Sequence, residues 1–292
     1  MNVPVTDSVT RFVFERAALR GALVGLDAAY RESIGRHSYP PRLARLLGET
    51  MGAMCLLANS LKFQGSLILQ LQGTGAVRLL VVECDASLRL RATAQWNGDI
   101  DDAASLVELA GDPRRSRMVL TLDPRDGGPM HQGIVALEGA SVASLFEHYL
   151  ATSEQIASRL WLEAGDGRVR GLLLQRMPGA TDADTATWAR AAAAVDAAAA
   201  PFATSDAHAL LASLFRDDDV RAFRPRTPRS GCSCSRERVA GALKMLGSEE
   251  VESILAEQGA VGVNCEFCNR RYEFSDAEAR ALFAPPRAAL MH

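Results

Sequence analysis

The chain has 292 residues and a formal net charge of −3, with 48% hydrophobic and 23% charged residues. This length allows two or three domains with at least one apolar core, and the charge excludes a global basic field that attracts nucleic acid or anionic membranes. The N-terminus lacks the pattern of a secretory signal, and no apolar run reaches the roughly 18 residues that span a bilayer. We therefore expect a cytoplasmic protein with reduced thiols and no membrane association.

Residues 1–180 predict a mixed domain of strands and helices. Two short strand-like runs come first, and Pro40 and Pro41 mark the start of a long amphipathic helix. Three strands separated by Gly-rich or polar turns follow within residues 65–96, and a strand pair, a helix and two closing strands extend to Met177. Neighbouring strands with helices set between them favour an α+β fold over alternating βαβ units.

Residues 181–230 differ in composition and predict a helical linker. The stretch from Thr181 to Phe215 has helical propensity but is rich in alanine, which buries little area. Because most helix stability in proteins comes from packing an apolar face, we expect marginal helices that form only while another surface covers them. A simple Ala-rich linker is the alternative. The final part, residues 216–231, has the composition of an exposed connector.

Residues 231–292 predict a small C-terminal domain, with two short helices, a strand–turn–strand unit and a last helix. It contains four of the six cysteines of the chain, as a C-x-C pair (Cys232, Cys234) and a C-x-x-C pair (Cys265, Cys268). Zinc prefers four thiolates in a tetrahedron, and C-x-x-C spacing lets one tight turn offer two sulfurs. In a reducing compartment such a cluster favours a metal site over disulfides. We therefore predict one Zn²⁺ bound by all four thiolates.

Other interpretations of the cysteines are weaker. Iron–sulfur ligation is chemically open, but the spacings are not those usual for clusters. Four unrelated free thiols would not be expected to cluster. Cys55 and Cys84 lie outside the motif, and Cys84 ends an apolar strand, which predicts core packing rather than a nucleophile.

Five segments of the first domain, together with the cysteine pairs, carry a family resemblance. The segments are SYPPRLARLLGE, LKFQGSLILQLQG, LLVVECDASLRLRATAQW, TSEQIASRLWL and GLLLQRMPG. With the C-x-C and C-x-x-C pairs and their long insert, they resemble the 33 kDa chaperonin family, redox-regulated bacterial holdases. The resemblance covers nearly the whole chain.

The resemblance implies an α+β core, a helical linker and a C-terminal zinc domain in a chaperone that is not an enzyme. Its zinc ligands and redox switch would be Cys232, Cys234, Cys265 and Cys268. The reduced, zinc-bound form is expected to be inactive. Oxidants acting with unfolding stress are expected to form the disulfides Cys232–Cys234 and Cys265–Cys268, release zinc, and unfold the zinc domain and linker. The activated form is expected to dimerise and hold unfolding clients without ATP.

The magnitudes agree with such a switch. A domain of about 60 residues is marginal by itself, while structural zinc contributes roughly 10–16 kcal/mol to the folding of small domains. Each local disulfide closes a loop of only three or four residues and is worth about 2 kcal/mol at most. Exchange of zinc for these disulfides should therefore unfold the C-terminal domain.

A zinc-ribbon regulator that binds nucleic acid is one rival. Residues 231–292 carry seven basic against nine acidic residues, and DNA binding usually needs a basic surface. We therefore expect no nucleic-acid partner.

A C-x-x-C thiol–disulfide oxidoreductase is the other rival. Zinc would sequester its thiolates, and the upstream βαβ context is missing. The client-binding surface stays open at this stage. Candidates are the face beneath the linker, a dimer groove, or the linker helices with Trp188, Leu210, Leu211, Leu214 and Phe215.

Overall fold

The structure, a computed structural model, describes residues 7–284 apart from 125–126, 136, 138, 140, 199–201 and 203–205. The chain divides into two compact units, Met1–Gly231 and Cys232–His292. The described residues form thirteen strands: β1 Ser8–Phe14, β2 Leu19–Leu26, β3 Gly65–Gln72, β4 Val77–Asp85, β5 Arg89–Trp96, β6 Arg117–Pro124, β7 His131–Val135, β8 Ser158–Gly165, β9 Arg168–Arg176, β10 Val220–Ala222, β11 Arg229–Ser230, β12 Ala260–Asn264 and β13 Arg271–Ser275. They also form nine helices: α1 Ala28–Ile34, α2 Pro41–Ser60, α3 Leu106–Ala110, α4 Val142–Thr152, α5 Asp182–Ala197, α6 Ala207–Leu214, α7 Arg236–Leu246, α8 Ser248–Gln258 and α9 Asp276–Ala281.

The first unit contains two sheets. One has five strands in the order β10-β1-β2-β9-β8, and the other has six in the order β11-β5-β4-β3-β6-β7. Neighbouring strands are antiparallel except for the short β11, which pairs with β5 in parallel. Mixed sheets and helices of this kind are an α+β fold, as the sequence predicts.

Helix α2 lies in the main core and packs against strands of both sheets. Its glycines allow a close approach to the five-stranded sheet: a Cβ on Gly48 would lie 2.9 Å from Ala164 Cβ, and one on Gly52 would lie 3.0 Å from Val169 Cγ1. The opposite face of the helix contributes fully buried side chains such as Leu46 and Met54. Apolar burial of this extent is the dominant stabilising contribution to the first unit.

The five-stranded sheet is covered on both faces. Side chains alternate along a strand, so Val24 of β2 faces α2 whereas Leu23 faces the other way. On that second face, α5 and α6 pack against a set of apolar side chains that we call the linker-covered face: Phe12, Phe14, Leu19, Leu23, Leu172 and Leu174. The two helices predicted for the linker therefore lie on a sheet of the first unit.

The predicted connector, residues 216–231, is more ordered than its composition indicates. It adds an edge strand to each sheet, because β10 pairs with β1 and β11 pairs with β5. Arg226 forms a further bridge with Val9, and its guanidinium donates to Asn59 Oδ1 and to the carbonyl of Ala86. The segment is largely exposed, as predicted, but it is not without secondary structure. Strands of two or three residues are stable here only because they pair with distant strands.

The second unit is small. Strands β12 and β13 form an antiparallel hairpin, and α7, α8 and α9 pack beside it, which confirms the predicted helices and strand–turn–strand unit. Among its described residues, seven are buried in an apolar core, namely Leu243, Val251, Leu255, Val261, Tyr272, Phe274 and Ala279. Among the helices of the described residues, none combines the length and apolarity needed to cross a bilayer.

Candidate metal centre and linker-covered face

The first cysteine pair lies in a short segment between β11 and α7. Cys232 follows Gly231, whose N–H donates to the carbonyl of Leu90 and so ends the first unit. Ser235 caps α7 by accepting a hydrogen bond from the Arg238 N–H at 3.3 Å. Along the chain, the C-x-C pair thus follows a paired strand and precedes a capped helix.

The second pair lies in the turn of the β12–β13 hairpin. The N–H of Cys265 donates to the carbonyl of Arg270, and the N–H of Asn269 donates back to the carbonyl of Cys265. Asn269 has φ +52°, a left-handed conformation that asparagine tolerates better than most residues. This tight turn presents the sulfurs of Cys265 and Cys268 on one side, as the predicted metal site requires.

The structure brings all four cysteines together. The sulfurs of Cys232, Cys234, Cys265 and Cys268 all lie within 4.8 Å of one another. The sulfurs of Cys232 and Cys265 are 3.6 Å apart, and those of Cys234 and Cys268 are 3.3 Å apart. In a tetrahedral site with metal–sulfur bonds near 2.3 Å, sulfurs are separated by about 3.8 Å. The cluster therefore fits one tetrahedral metal ion.

The thiols differ in their electrostatic surroundings. Burial opposes ionisation of Cys234, but hydrogen bonds from the Tyr272 hydroxyl and from neighbouring thiols outweigh it and lower the pKa to about 7. The pKa of Cys268 is raised to about 12, mainly by burial and by the thiols beside it. Burial also raises the pKa of Cys232. Once one thiol of the cluster is ionised, the others are harder to ionise in the absence of a cation, because neighbouring thiolates would repel one another. A bound cation removes that penalty.

One contributor to the centre was missed by the sequence analysis. The hydroxyl of Tyr272 donates a hydrogen bond to Cys234 Sγ at 3.1 Å. Tyr272 lies four residues after Cys268 on β13, where it alternates inward with Phe274. The signal available in the sequence was this period-two alternation, which places an aromatic residue next to the turn that carries Cys265 and Cys268.

Cys55 and Cys84 lie in the main core with no exposed surface, which confirms the prediction of core packing. A hydrogen bond with Cys55 and burial raise the pKa of Cys84 well above its ordinary value. Both residues are therefore inert thiols while the first unit is folded.

Among the described residues, an apolar cluster smaller than the main core holds the linker on the linker-covered face. Helix α5 buries Ala191, Ala192 and Val195, and the larger contribution comes from Leu210, Leu211 and Phe215. The ring of Phe215 lies 5.2 Å from that of Phe14 and 5.8 Å from that of Phe12. Complete burial of one Leu, Val or Phe stabilises by roughly 1.5–3 kcal/mol, so this contact is small compared with the main core.

Polar contacts fix both ends of α5. At its N-terminus, Asp184 accepts hydrogen bonds from Thr181 in a capping box and from the N–H of Ala18 at 2.8 Å. These bonds lower the pKa of Asp184. At its C-terminus, Asp196 accepts from Trp161 Nε1 at 2.7 Å and pairs with Arg159. The linker is therefore docked by a few localised contacts.

Comparison with known proteins gives consistent results. The family model described as Hsp33 protein matches residues 7–275. The chain is 42% identical over 282 residues to a 33 kDa chaperonin of Methylobacillus flagellatus, covering 96% of this chain and 95% of that one. It is 44% identical over 286 residues to the 33 kDa chaperonin of Chromobacterium violaceum, covering 97% and 96%. The crystal structure of the 33 kDa chaperonin from Thermotoga maritima has the same fold, with a TM-score of 0.79 at 19% identity over 94% of this chain and 97% of that one.

Proposed function

This chain belongs to the Hsp33 family of chaperones, and we propose that it is an ATP-independent holdase switched on by oxidation of its four-cysteine centre. Membership of the family makes it a molecular chaperone that binds unfolded proteins, and not an enzyme. The proposal concerns how that binding is controlled. The observation that carries it is the cluster of four sulfurs within 4.8 Å, in a unit whose apolar core is small.

In the resting state, the four thiolates bind one Zn²⁺, the cation that best suits an all-cysteine tetrahedral site. When bound, zinc would neutralise much of the thiolate charge and link the C-x-C segment to the hairpin turn. Such sites contribute roughly 10–16 kcal/mol to the folding of small domains. The second unit would then depend on its ligands more than on its apolar core.

Oxidation removes the ligands in pairs. For each pair, one thiolate attacks hydrogen peroxide, the O–O bond breaks, and a sulfenic acid and hydroxide are formed, the hydroxide taking a proton from solvent to give water. The second thiol then attacks that sulfur and displaces a second water, so two electrons pass from two sulfurs to one peroxide. We propose the pairs Cys232–Cys234 and Cys265–Cys268. With no thiolate left, the four residues no longer hold the ion, and the second unit unfolds.

Unfolding of the second unit reaches the linker along the chain. Cys232 follows directly after β11 and Gly231, which are paired with β5. Loss of order at Cys232 would fray β11 and then the short β10, which precedes it and pairs with β1. We assign residues 1–180 as the core, 181–230 as a metastable linker and 231–292 as the switch domain.

Release of the linker would uncover a client-binding surface. The linker-covered face consists of six large apolar side chains, and contiguous exposed apolar surface is typical of sites that bind other proteins. We propose this face, rather than a particular residue, as the client site. The resting form would be cytoplasmic, where thiols stay reduced, and the active form would be a homodimer.

The test measures metal, thiols and activity together. Reduced protein is expected to contain one zinc and six thiols and to leave the aggregation of heat-denatured citrate synthase unchanged. After peroxide at raised temperature we expect no zinc, two thiols and suppressed aggregation without ATP. Hydrogen exchange should show loss of protection in α5 and α6. Retention of the metal, or equal protection of the linker in both states, would contradict the proposal.

A further inference from the structure

Tyr272 connects the metal centre to the apolar core of the second unit. It is the second residue of β13, opposite Val263, and only 8% of its surface is exposed. Its ring packs in the core with Phe274 and Val261, and its hydroxyl donates to Cys234 Sγ at 3.1 Å. The exposed residues on either side, Arg271 and Glu273, point outward. One side chain is therefore anchored in the core at one end and bonded to a sulfur at the other.

Arg270 adds charge at the same position. The Tyr272 hydroxyl and the sulfurs of Cys234 and Cys268 raise the pKa of Arg270, which places its guanidinium near the centre. Four thiolates and one divalent cation carry a net charge of −2, so a hydroxyl donor and a nearby cation stabilise the ligated state. Groups that bond to metal ligands in this way orient them, and their loss typically costs 10–100-fold in metal affinity.

We propose that Tyr272 is a positioning residue of the metal centre, whose O–H···S hydrogen bond holds Cys234 in its ligating orientation. Because the ring is fixed by the core, the ligand keeps its position only while the core is packed. Loosening of the core would therefore weaken the metal site. Unfolding stress, through Tyr272, and oxidation, through the thiol itself, would then both act on Cys234. The inference rests on the metal binding in the proposed function. It adds a residue that sets how readily the cysteine ligands release the metal.

The decisive variant is Tyr272→Phe in the full-length chain, which removes the hydroxyl and keeps the ring. Tyr30→Phe is the matched control, since the Tyr30 hydroxyl donates to the carbonyl of Ala44 in the first unit. Competition for Zn²⁺ with a chromophoric chelator measures the affinity of the site for zinc. The rate of zinc release after excess peroxide measures how fast the cysteine ligands are lost to oxidation. For Tyr272→Phe we expect about 10-fold weaker binding and a several-fold faster release, with the control unchanged.

A second variant guards against a folding defect. Arg270 is exposed, so Arg270→Gln should leave the unit folded, and we expect a smaller shift in the same direction. Co²⁺ loading adds a readout of ligand geometry, because the sulfur-to-cobalt absorption depends on the orientation of the sulfurs. Wild-type affinity, release rate and cobalt spectrum in both variants would overturn the inference. Wild-type protein that binds no zinc would overturn the proposed function itself, so the two failures are distinguishable.

Discussion

The two units of this chain hold their structures by different means. The first unit buries a large set of aliphatic side chains around α2, many with no exposed surface. The second unit, as far as the structure describes it (residues 232–284), has seven buried residues in its apolar core and a cluster of four sulfurs. Their cysteines differ in the same way: Cys55 and Cys84 are fully buried, whereas the clustered four are partly exposed. A reagent that attacks thiols can therefore remove the support of one unit and leave the other intact.

The linker belongs to the first unit by its contacts. It resembles the second unit because its apolar contacts form a much smaller cluster than the main core. In the part of the linker that the structure describes, its helices lie on the five-stranded sheet through an apolar cluster smaller than the main core and through localised polar contacts. Elements with few buried apolar contacts are the first to open. The comparison therefore predicts three levels of stability: the core, the linker and the metal-dependent unit.

Removal of the metal should have the largest effect. A strong chelator with a reductant is expected to unfold residues 232–284 and to leave the first-unit core folded, since zinc contributes roughly 10–16 kcal/mol to such domains. Hydrogen exchange by mass spectrometry would report each unit separately. Unchanged protection of α8 and β12 after complete metal removal would show that the small core is sufficient.

Truncation in the linker should come next. Leu211→Ala removes a buried side chain from the linker contact and is expected to cost about 2–5 kcal/mol, enough to release the helices without oxidation. Suppression of client aggregation by the reduced, zinc-loaded variant would be the readout. Leu145→Ala, in the main core, is the control, since it destabilises the first unit away from the linker. Equal activation by both variants would argue against the linker as the specific cover.

The pairing of the disulfides has an intermediate effect. The sulfurs of Cys232 and Cys265, and those of Cys234 and Cys268, are also close to each other. Disulfides between these crossed pairs would close loops of about 34 residues, worth about 4 kcal/mol each against about 2 for local pairs. Crossed pairs would thus staple the unit, whereas local pairs let it unfold. We expect peptide mapping of the oxidised, zinc-free protein to find local pairs. Crossed pairs in an active chaperone would contradict unfolding as the signal.

Asp184 should give the smallest effect, and one that depends on pH. Its pKa is lowered by hydrogen bonds from Thr181 and Ala18, so the carboxylate stabilises the docked α5 at neutral pH. That stabilisation is lost as pH falls through the lowered pKa, which lies below 3.8. Asp184→Asn is expected to reduce protection of α5 at pH 7 and to remove this acid dependence, while Asp182→Asn, exposed on the same turn, should behave as wild type. Identical hydrogen exchange of α5 in both variants would show that the contacts of Asp184 do not hold the helix on the first unit.

Much of this molecule follows from local pattern. The prolines before α2, the period-two strands such as β3 and the cysteine spacing each specify their element from residues a few positions apart. The alanine content of α5 likewise indicates a weakly held helix. These features depend on backbone propensity and side-chain alternation, which act within one element.

Contacts between distant residues needed the tertiary structure. The strands β10 and β11 have too few residues for a sequence signal and exist because they pair with β1 and β5. Tyr272 and Cys234 are 38 positions apart, and Ala18 and Asp184 are 166 positions apart. The face beneath the linker joins residues that are still farther apart, such as Phe12 and Phe215. The sequence alone predicted that four thiols come close enough together to hold a cation. Only the packing of the chain decided what lies beside those thiols and what the linker covers, because both depend on which distant surfaces meet.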